Sequence, residues 1–364
     1  MARKRRSRGE GSLFFNEKKG LWVSQITLPD GTRKFKYGKL QKEVREHHVT
    51  ALNQLREGML PKDDSITVSQ YMAHYMEAVG KQTLRPRTQE MQEVYVRVHI
   101  NPALGRIKLK DLRPDHLQSF YSQKVSSGLS KRTVQLLHVT LRTALKQAVK
   151  WGLVARNVTD LVQAPRPVKT SPKFFTKEQL NKFLESVKGH KWYLIYLLLI
   201  YGGFREGEVL GIHYEDCDMV NRVINVRHSI ITLKGGLFIT EPKTKTSRRA
   251  VTLPKIAYDA LKIHLDQLGR NQGLIFTTST GSPISARNFI RHFKKALSDA
   301  GLPDIRVHDL RHSHASLLLA SGVHPKLVQE RLGHSSITLT MDTYSHVIPS
   351  LQEEVARKMD DLMG

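Results

Sequence analysis

Four clusters in the second half of this 364-residue chain carry side chains suited to one kind of chemistry. "GGFREGEVLGI" holds Arg205 and Glu208. "EPKTKTSRRAV" holds Lys243 and Lys245. "VHDLRHSHASLL" holds His308 and Arg311. "RLGHSSITLTMDTYSH" holds His334 and, ten positions on, Tyr344. Two arginines, a lysine, two histidines and a tyrosine describe a site that grips a phosphate and attacks it. A phenol oxygen at Tyr344 would displace a deoxyribose hydroxyl at phosphorus. Charge develops on the non-bridging oxygens, and Arg205 and Arg311, always protonated and planar, can each hold two of them. Such donors do in place what a metal ion would otherwise do. A phenol has an ordinary pKa of about 10, so it needs a base, and His308 is placed to take the proton. A lysine on a flexible hairpin can protonate the leaving alkoxide. His334 would hydrogen-bond the same phosphate, and Glu208 would orient a neighbouring arginine or histidine from behind.

Taken singly, each residue has an ordinary explanation. Arg205 could simply pair with Glu208, His308 and Arg311 could start a helix, and Tyr344 could be half-buried core. His308, His312 and His314 lie close enough to suggest a metal, but no carboxylate or thiolate partner set accompanies them. The four clusters together are harder to dismiss.

The elements that must position these groups can be read along the chain. Residues 11–40 alternate apolar and polar side chains and predict three short strands, with "PDGT" (29–32) as a turn, then a helix over about 41–57. Arg33, Lys34 and Lys36 on this small sheet are candidate DNA contacts. "MLPKDDS" (59–65) reads as a linker. Helices are predicted near 68–80, 86–99, 114–127, 130–150 and 157–162. The clearest has Leu136, Leu137, Leu141, Leu145 and Val149 at helical spacing, with basic residues on other faces. Lys131 and Arg132 in its first turn are further candidate DNA contacts. The Pro-rich "APRPVKTSPK" (164–173) is a second linker. Beyond it, helices near 256–268, 285–300, 308–320, 324–331 and 350–362 surround a strand-rich island at 222–254. These features divide the chain at 1–64, 65–165 and 172–364. The fold class is mainly α with small β elements (α+β).

The charge narrows the partner. Lys and Arg total 58 against 33 Asp and Glu, a formal net charge of +25. The excess is +7 in residues 1–64, +11 in 65–170 and +7 in 171–364, so it is not one basic tail. A surface following a polyanion at many points fits this spread. No apolar run reaches the roughly 20 residues of a membrane span. The basic N-terminus has no apolar segment behind it, which argues against a secretory signal. The single cysteine, Cys217, allows no internal disulfide and fits a reducing, cytoplasmic setting.

With these motifs in hand, the chain resembles the tyrosine recombinase (phage integrase) family. "FREGE", the lysine-bearing "PKTKTSRRAV", "HDLRHSHASLL" and "LGHSSITLTMDTYSH" stand in the family's order over roughly 172–350. The resemblance implies a mixed α/β catalytic domain with Arg205, Lys243, His308, Arg311, His334 and Tyr344 as its catalytic set. Family spacing favours Lys243 over Lys245 without deciding between them. Gly202 stands where the family often has Thr or Ser. Upstream, the chain is similar to integrases of Gram-positive phages and conjugative transposons, where a small N-terminal sheet binds arm-type DNA and a helical domain binds the core site. The resemblance implies no metal or other cofactor. It implies double-stranded DNA as partner, a homotetramer on DNA, a host bending protein and an excision factor. It also implies a covalent 3′-phosphotyrosine intermediate, serving integration and excision of a mobile element in a bacterial host. Two other classes share parts of this pattern: a type IB topoisomerase-like nicking enzyme and a non-catalytic DNA-binding regulator. The intact residue set argues against the regulator, and two DNA-binding modules ahead of the site argue against a simple topoisomerase.

Overall fold

A computed structural model of the chain describes residues 11–27, 33–56, 65–167, 173–241, 248–338, 341 and 352–364. Lys243, Lys245 and Tyr344 lie outside the described residues, as do the "PDGT" turn and nearly all of the 59–65 linker. The chain divides into two compact units, Met1–Val168 and Lys169–Gly364.

The first unit opens with an antiparallel sheet in the order β1-β2-β3, formed by β1 (Ser12–Asn16), β2 (Leu21–Thr27) and β3 (Arg33–Gly38). Helix α1 (Gln41–Arg56) packs on it, and His48 Nδ1 lies 2.7 Å from Ser24 Oγ. Strand pleating sorts the candidate DNA contacts. Lys34 and Lys36 pair with Ile26 and Ser24, on the α1 side. Arg33 falls on the opposite face with Phe35 and Tyr37. There Phe14, Phe35 and Tyr37 are exposed, and Lys19 Nζ stands 4.9 Å from the centre of the Tyr37 ring. The basic residues of β3 therefore do not form one surface.

The rest of this unit is helical: α2 (Val68–Tyr75), α3 (Lys81–Thr83), α4 (Pro86–Tyr95), α5 (Asn101–Leu104), α6 (Pro114–Ser126) and α7 (Lys131–Lys150). Thr67 caps α2 through its hydroxyl, as its residue type favours. π-helical turns at Met76–Gly80 and Val96–Ile100 join α2 to α3 and α4 to α5. Val134, Leu137, Leu141, Ala144, Leu145 and Ala148 form the buried stripe of α7. Leu136 and Val149, predicted for that stripe, flank it half-buried. The predicted helix at 157–162 is a 3-10 turn, Val158–Leu161, whose start is held by the Asn157 side chain.

The second unit is built around α9 (Tyr193–Gly202), which is apolar on every side and almost wholly buried. Its neighbours in sequence are α8 (Lys177–Ser186) and α10 (Glu206–Leu210). The strand-rich island resolves into a three-stranded sheet and a separate hairpin. Strands β4 (Cys217–Asp218), β5 (Val223–Asn225) and β8 (Ala250–Thr252) pair in the order β4-β5-β8. Among the described residues, strands β6 (Ser229–Leu233) and β7 (Gly236–Thr240) pair with each other as a separate two-stranded sheet. Helices α11 (Lys255–Gln267), α12 (Ala286–Asp299), α13 (Val307–Ala320) and α14 (Pro325–Leu332) follow, then a tail helix α15 (Gln352–Met363). One apolar core runs from Phe175 to Leu310, with Phe183, Phe289 and Phe293 in it. Among the described residues, no helix is long and apolar enough to cross a membrane.

Candidate active site

Arg205 precedes α10, and the helix start fixes it. The third helical residue, Glu208, accepts the Arg205 backbone N–H at 2.9 Å, which satisfies one of the donors a helix start leaves open. The same carboxylate takes Arg205 Nη1 at 2.6 Å. Glu208 is buried, and its other partner is Arg249, which donates Nη1 to Oε1 at 3.2 Å and Nη2 to Oε2 at 2.9 Å. Burial alone would raise the Glu208 pKa. The Arg249 and Arg205 guanidiniums outweigh it and hold the carboxyl at about 2. Arg205 itself keeps 36% of its side chain exposed, so its guanidinium reaches solvent while its base is held.

Arg311 is the opposite case. It lies in the second turn of α13 and is 1% exposed. Nη1 donates to Gly203 O at 2.6 Å and Nη2 to Leu332 O at 2.5 Å. Gly203 ends α9 with φ +64, and a Cβ there would stand 2.5 Å from His314 Cδ2. Only glycine permits both the turn and the close approach. Arg311 thus joins the loop before Arg205 to the helix end before His334.

His308, in the first turn of α13, is solvent-accessible on one side with its ring 5.0 Å from His312. Loss of water around the rest of the ring, then the positive charges of His312, Arg311 and Arg205, lower its pKa to about 4. His334 follows Gly333, which ends α14 with φ +65. Its backbone N–H bonds to Gln329 O at 3.1 Å, and Gln329 Nε2 returns to His334 O at 2.6 Å. Burial, then Arg311 and Arg205, lower its pKa to about 3. Arg205 and Arg311 therefore act electrostatically on both His308 and His334, which brings four of the six residues read from the sequence together. Near neutral pH both imidazoles are uncharged, and each can accept or donate one proton.

Two further residues were not singled out in the sequence. Arg249 stands in "SRRAV", just before β8. A basic residue leading directly into a strand with a buried Val251 is the only signal it gives. Arg331 donates Nε to His314 Nε2 at 3.1 Å and Nη2 to Tyr201 O at 2.9 Å. Since His314 Nε2 accepts, Nδ1 carries the proton and donates to Ile200 O at 2.8 Å. Burial, then Arg331, lower the His314 pKa to about 3. Both ring nitrogens are thus committed, which removes His314 from any metal set with His308 and His312.

Elsewhere, His213, Asp216 and His228 bring ligand atoms within 4.8 Å of one another. Hydrogen bonding already accounts for this group. Asp216 Oδ2 accepts the His213 N–H at 3.1 Å and faces His228 Nδ1 at 3.1 Å. Arg227 Nε stands 3.8 Å from Oδ1. A carboxylate beside a guanidinium is a poor seat for a divalent cation.

In the first unit, Lys131 and Arg132 are exposed at the start of α7, where Ser130 Oγ accepts the Thr133 N–H at 3.1 Å. Arg132 Nη1 bonds to Gln135 Oε1 at 2.6 Å. Two cations at a helix N-terminus oppose the helix dipole unless an anion sits with them.

Known proteins share this architecture. Residues 173–350 match the phage integrase family, and residues 67–125 match the N-terminal SAM-like domain of phage integrases. The "Tyrosine recombinase XerC-like" protein of Caldanaerobacter subterraneus subsp. tengcongensis is 30% identical over 359 residues, covering 91% of this chain and 92% of that protein. The Tn1549 transposon integrase, solved in complex with a circular intermediate DNA, superposes with a TM-score of 0.71 at 23% identity, over 82% of this chain and 100% of that one. A lambda integrase tetramer bound to a Holliday junction superposes with a TM-score of 0.58 at 17% identity, over 93% of this chain and 96% of that one. By its sequence and its fold, the chain belongs to the phage integrase family of tyrosine recombinases.

Proposed function

We propose that this protein is a site-specific DNA strand-transferase that integrates and excises a mobile element. The observation that carries the reading is the convergence of Arg205, Arg311, His308 and His334 around the turn at Gly203 and the end of α14. Arg205, open to solvent, and Arg311, fixed from behind, hold the non-bridging oxygens of the scissile phosphate, with His334 donating a third hydrogen bond. Neutral His308 accepts the Tyr344 phenolic proton as the oxygen attacks phosphorus. The P–O5′ bond breaks, Lys243 gives its proton to the departing oxygen, and a 3′-phosphotyrosine remains. Attack by the 5′-hydroxyl of a partner strand reverses these steps and releases Tyr344.

The remaining parts serve DNA binding. We assign residues 1–64 to arm-type sites, 65–165 to the core site and 172–364 to catalysis. Arg33 beside the exposed aromatic side chains of the sheet, and Lys131 and Arg132 at the α7 N-terminus, are suited to phosphate contact. The lambda tetramer on a Holliday junction supports a homotetramer on paired sites. The protein then works on DNA in the bacterial cell.

A nicked suicide substrate tests the reading. Wild type should form a covalent adduct at one preferred sequence. Tyr344→Phe should bind that site equally well and form none. An adduct from Tyr344→Phe overturns the assignment. No adduct from wild type leaves the regulator, and cleavage without site preference leaves the topoisomerase-like enzyme.

A further inference from the structure

Arg249 grips two parts of the site at once. On one edge its Nη1 and Nη2 donate to the Glu208 carboxylate at 3.2 and 2.9 Å, and that carboxylate also holds Arg205 by its backbone N–H and by Nη1. On the other edge Nε donates to Arg331 O at 2.6 Å. Arg331 lies in the last turn of α14, and the next carbonyl along, Leu332 O, is taken by Arg311. The last carbonyls of a helix have no partner within it. Here two guanidiniums supply them, and cations are favoured at that end of the helix dipole. Two residues further on is His334.

We infer that Arg249 is a positioning residue that sets Arg205 through Glu208 and sets His334 through the C-terminal end of α14. The inference rests on Arg205 and His334 being phosphate ligands. Arg249 is not itself a phosphate ligand. Its side chain is 6% exposed, and it packs over Phe204 with 5.7 Å to the ring centre. Both edges of the guanidinium face inward. A planar fork is needed to reach a carboxylate and a carbonyl in two directions, which an ammonium cannot do. Without Arg249, the buried Glu208 carboxylate has Arg205 as its remaining guanidinium. Arg205 is then drawn back onto Glu208 and away from the phosphate.

Single-turnover cleavage of the nicked core site tests this. Arg249→Ala should lower the rate about ten- to a hundredfold, the usual cost of losing a group that orients a reactive one. Core-site binding should be unchanged, and Arg249→Lys should fall in between. Positioning predicts two results that general destabilisation does not. The combined loss in Arg205→Ala, Arg249→Ala should be well below the product of the single losses. On a substrate whose scissile phosphate is a neutral methylphosphonate, the Arg249→Ala defect should shrink, because less charge has to be held. Fully multiplicative losses, an undiminished defect on the methylphosphonate, or wild-type rates in both variants overturn the inference. If Arg249→Ala does not fold, Arg249→Lys takes its place in both measurements with the same outcomes. If Arg205→Ala alone cleaves normally, the reading of the site fails instead.

Discussion

Arg311 and Gly203 lie 108 positions apart in sequence, and the guanidinium of one donates to the carbonyl of the other at 2.6 Å. That bond ties the backbone turn before Arg205 to the candidate active site. Gly203→Ala would place a Cβ 2.5 Å from His314 and force alanine into the left-handed region. The expected cost is about 1–3 kcal/mol, most of it strain. The melting temperature should fall by on the order of 5 °C. Cleavage should drop more than stability implies, since the carbonyl that aims Arg311 is displaced. Arg311→Ala should lower cleavage by at least about a hundredfold. A Gly203→Ala protein that melts and cleaves like wild type would remove Gly203 from this role.

The three histidines whose pKa values fall furthest contribute to the acid response. His314, His334 and His308 titrate at about 3, 3 and 4 in the fold. Unfolded histidine takes its proton near 6.5. The unfolded state therefore binds more protons between about pH 6.5 and 3, and stability falls as pH drops through that window. Above it the three contribute no pH dependence. His314 is the cleanest case, 7% exposed and faced by Arg331, Arg311 and Arg249. It alone should remove about 1 kcal/mol at pH 5.5 relative to pH 7.5. His314→Gln, whose amide can serve both Ile200 O and Arg331, should flatten the dependence of melting temperature on pH. An unchanged slope would place the acid sensitivity elsewhere.

The local parts of this fold were legible in the sequence because local spacing sets them. The α7 stripe and the three N-terminal strands follow from apolar period and length. Arg205, His308, Arg311 and His334 were singled out because arginines and histidines recur there in short motifs suited to gripping a phosphate. Arg249 was not, because its role is fixed by contacts to Glu208 and Arg331, 41 and 82 positions away. The two faces of β3 were missed for a related reason. Charge alternation along one strand says nothing of which face receives α1, and only the pairing of Lys36 with Ser24 settles that. The strand island was read as one block, whereas β5 pairs with β8 across the β6–β7 hairpin.

The general acid can be assigned by chemistry. Lys243→Ala should cleave slowly on a normal phosphate. Replacing the bridging 5′ oxygen with sulfur creates a leaving group that departs without a proton, so the defect should largely vanish. Arg311→Ala should show no such recovery, because its loss concerns charge on phosphorus. If Lys245→Ala shows the rescued defect and Lys243→Ala does not, the acid is Lys245.

The tail helix governs assembly in the last prediction. In α15, Met359, Leu362 and Met363 fall at helical spacing and are 52%, 78% and 82% exposed. An apolar stripe left in water at the end of a chain is a surface in search of a partner. The second unit also carries an apolar groove of about 840 Å³, lined by Leu184, Ile200, Leu253, Leu317, Leu318 and Leu327. Arg331 and His314 form part of its wall, so a helix seated there would touch the same network that holds His334. A groove with this lining suits the apolar face of an amphipathic helix. Seating the tail of one subunit in the groove of the next would link neighbours into a closed ring and tie the position of Tyr344 to assembly. The protein should then be largely monomeric alone and tetrameric on paired sites. Deleting residues 350–364 should leave binding to a single core site intact, weaken synaptic complexes in a native gel and alter cleavage. Leu317→Glu, which charges the groove, should mimic the deletion. If the truncated protein forms synaptic complexes as stably as the full chain, the tail packs on its own subunit and does not link neighbours.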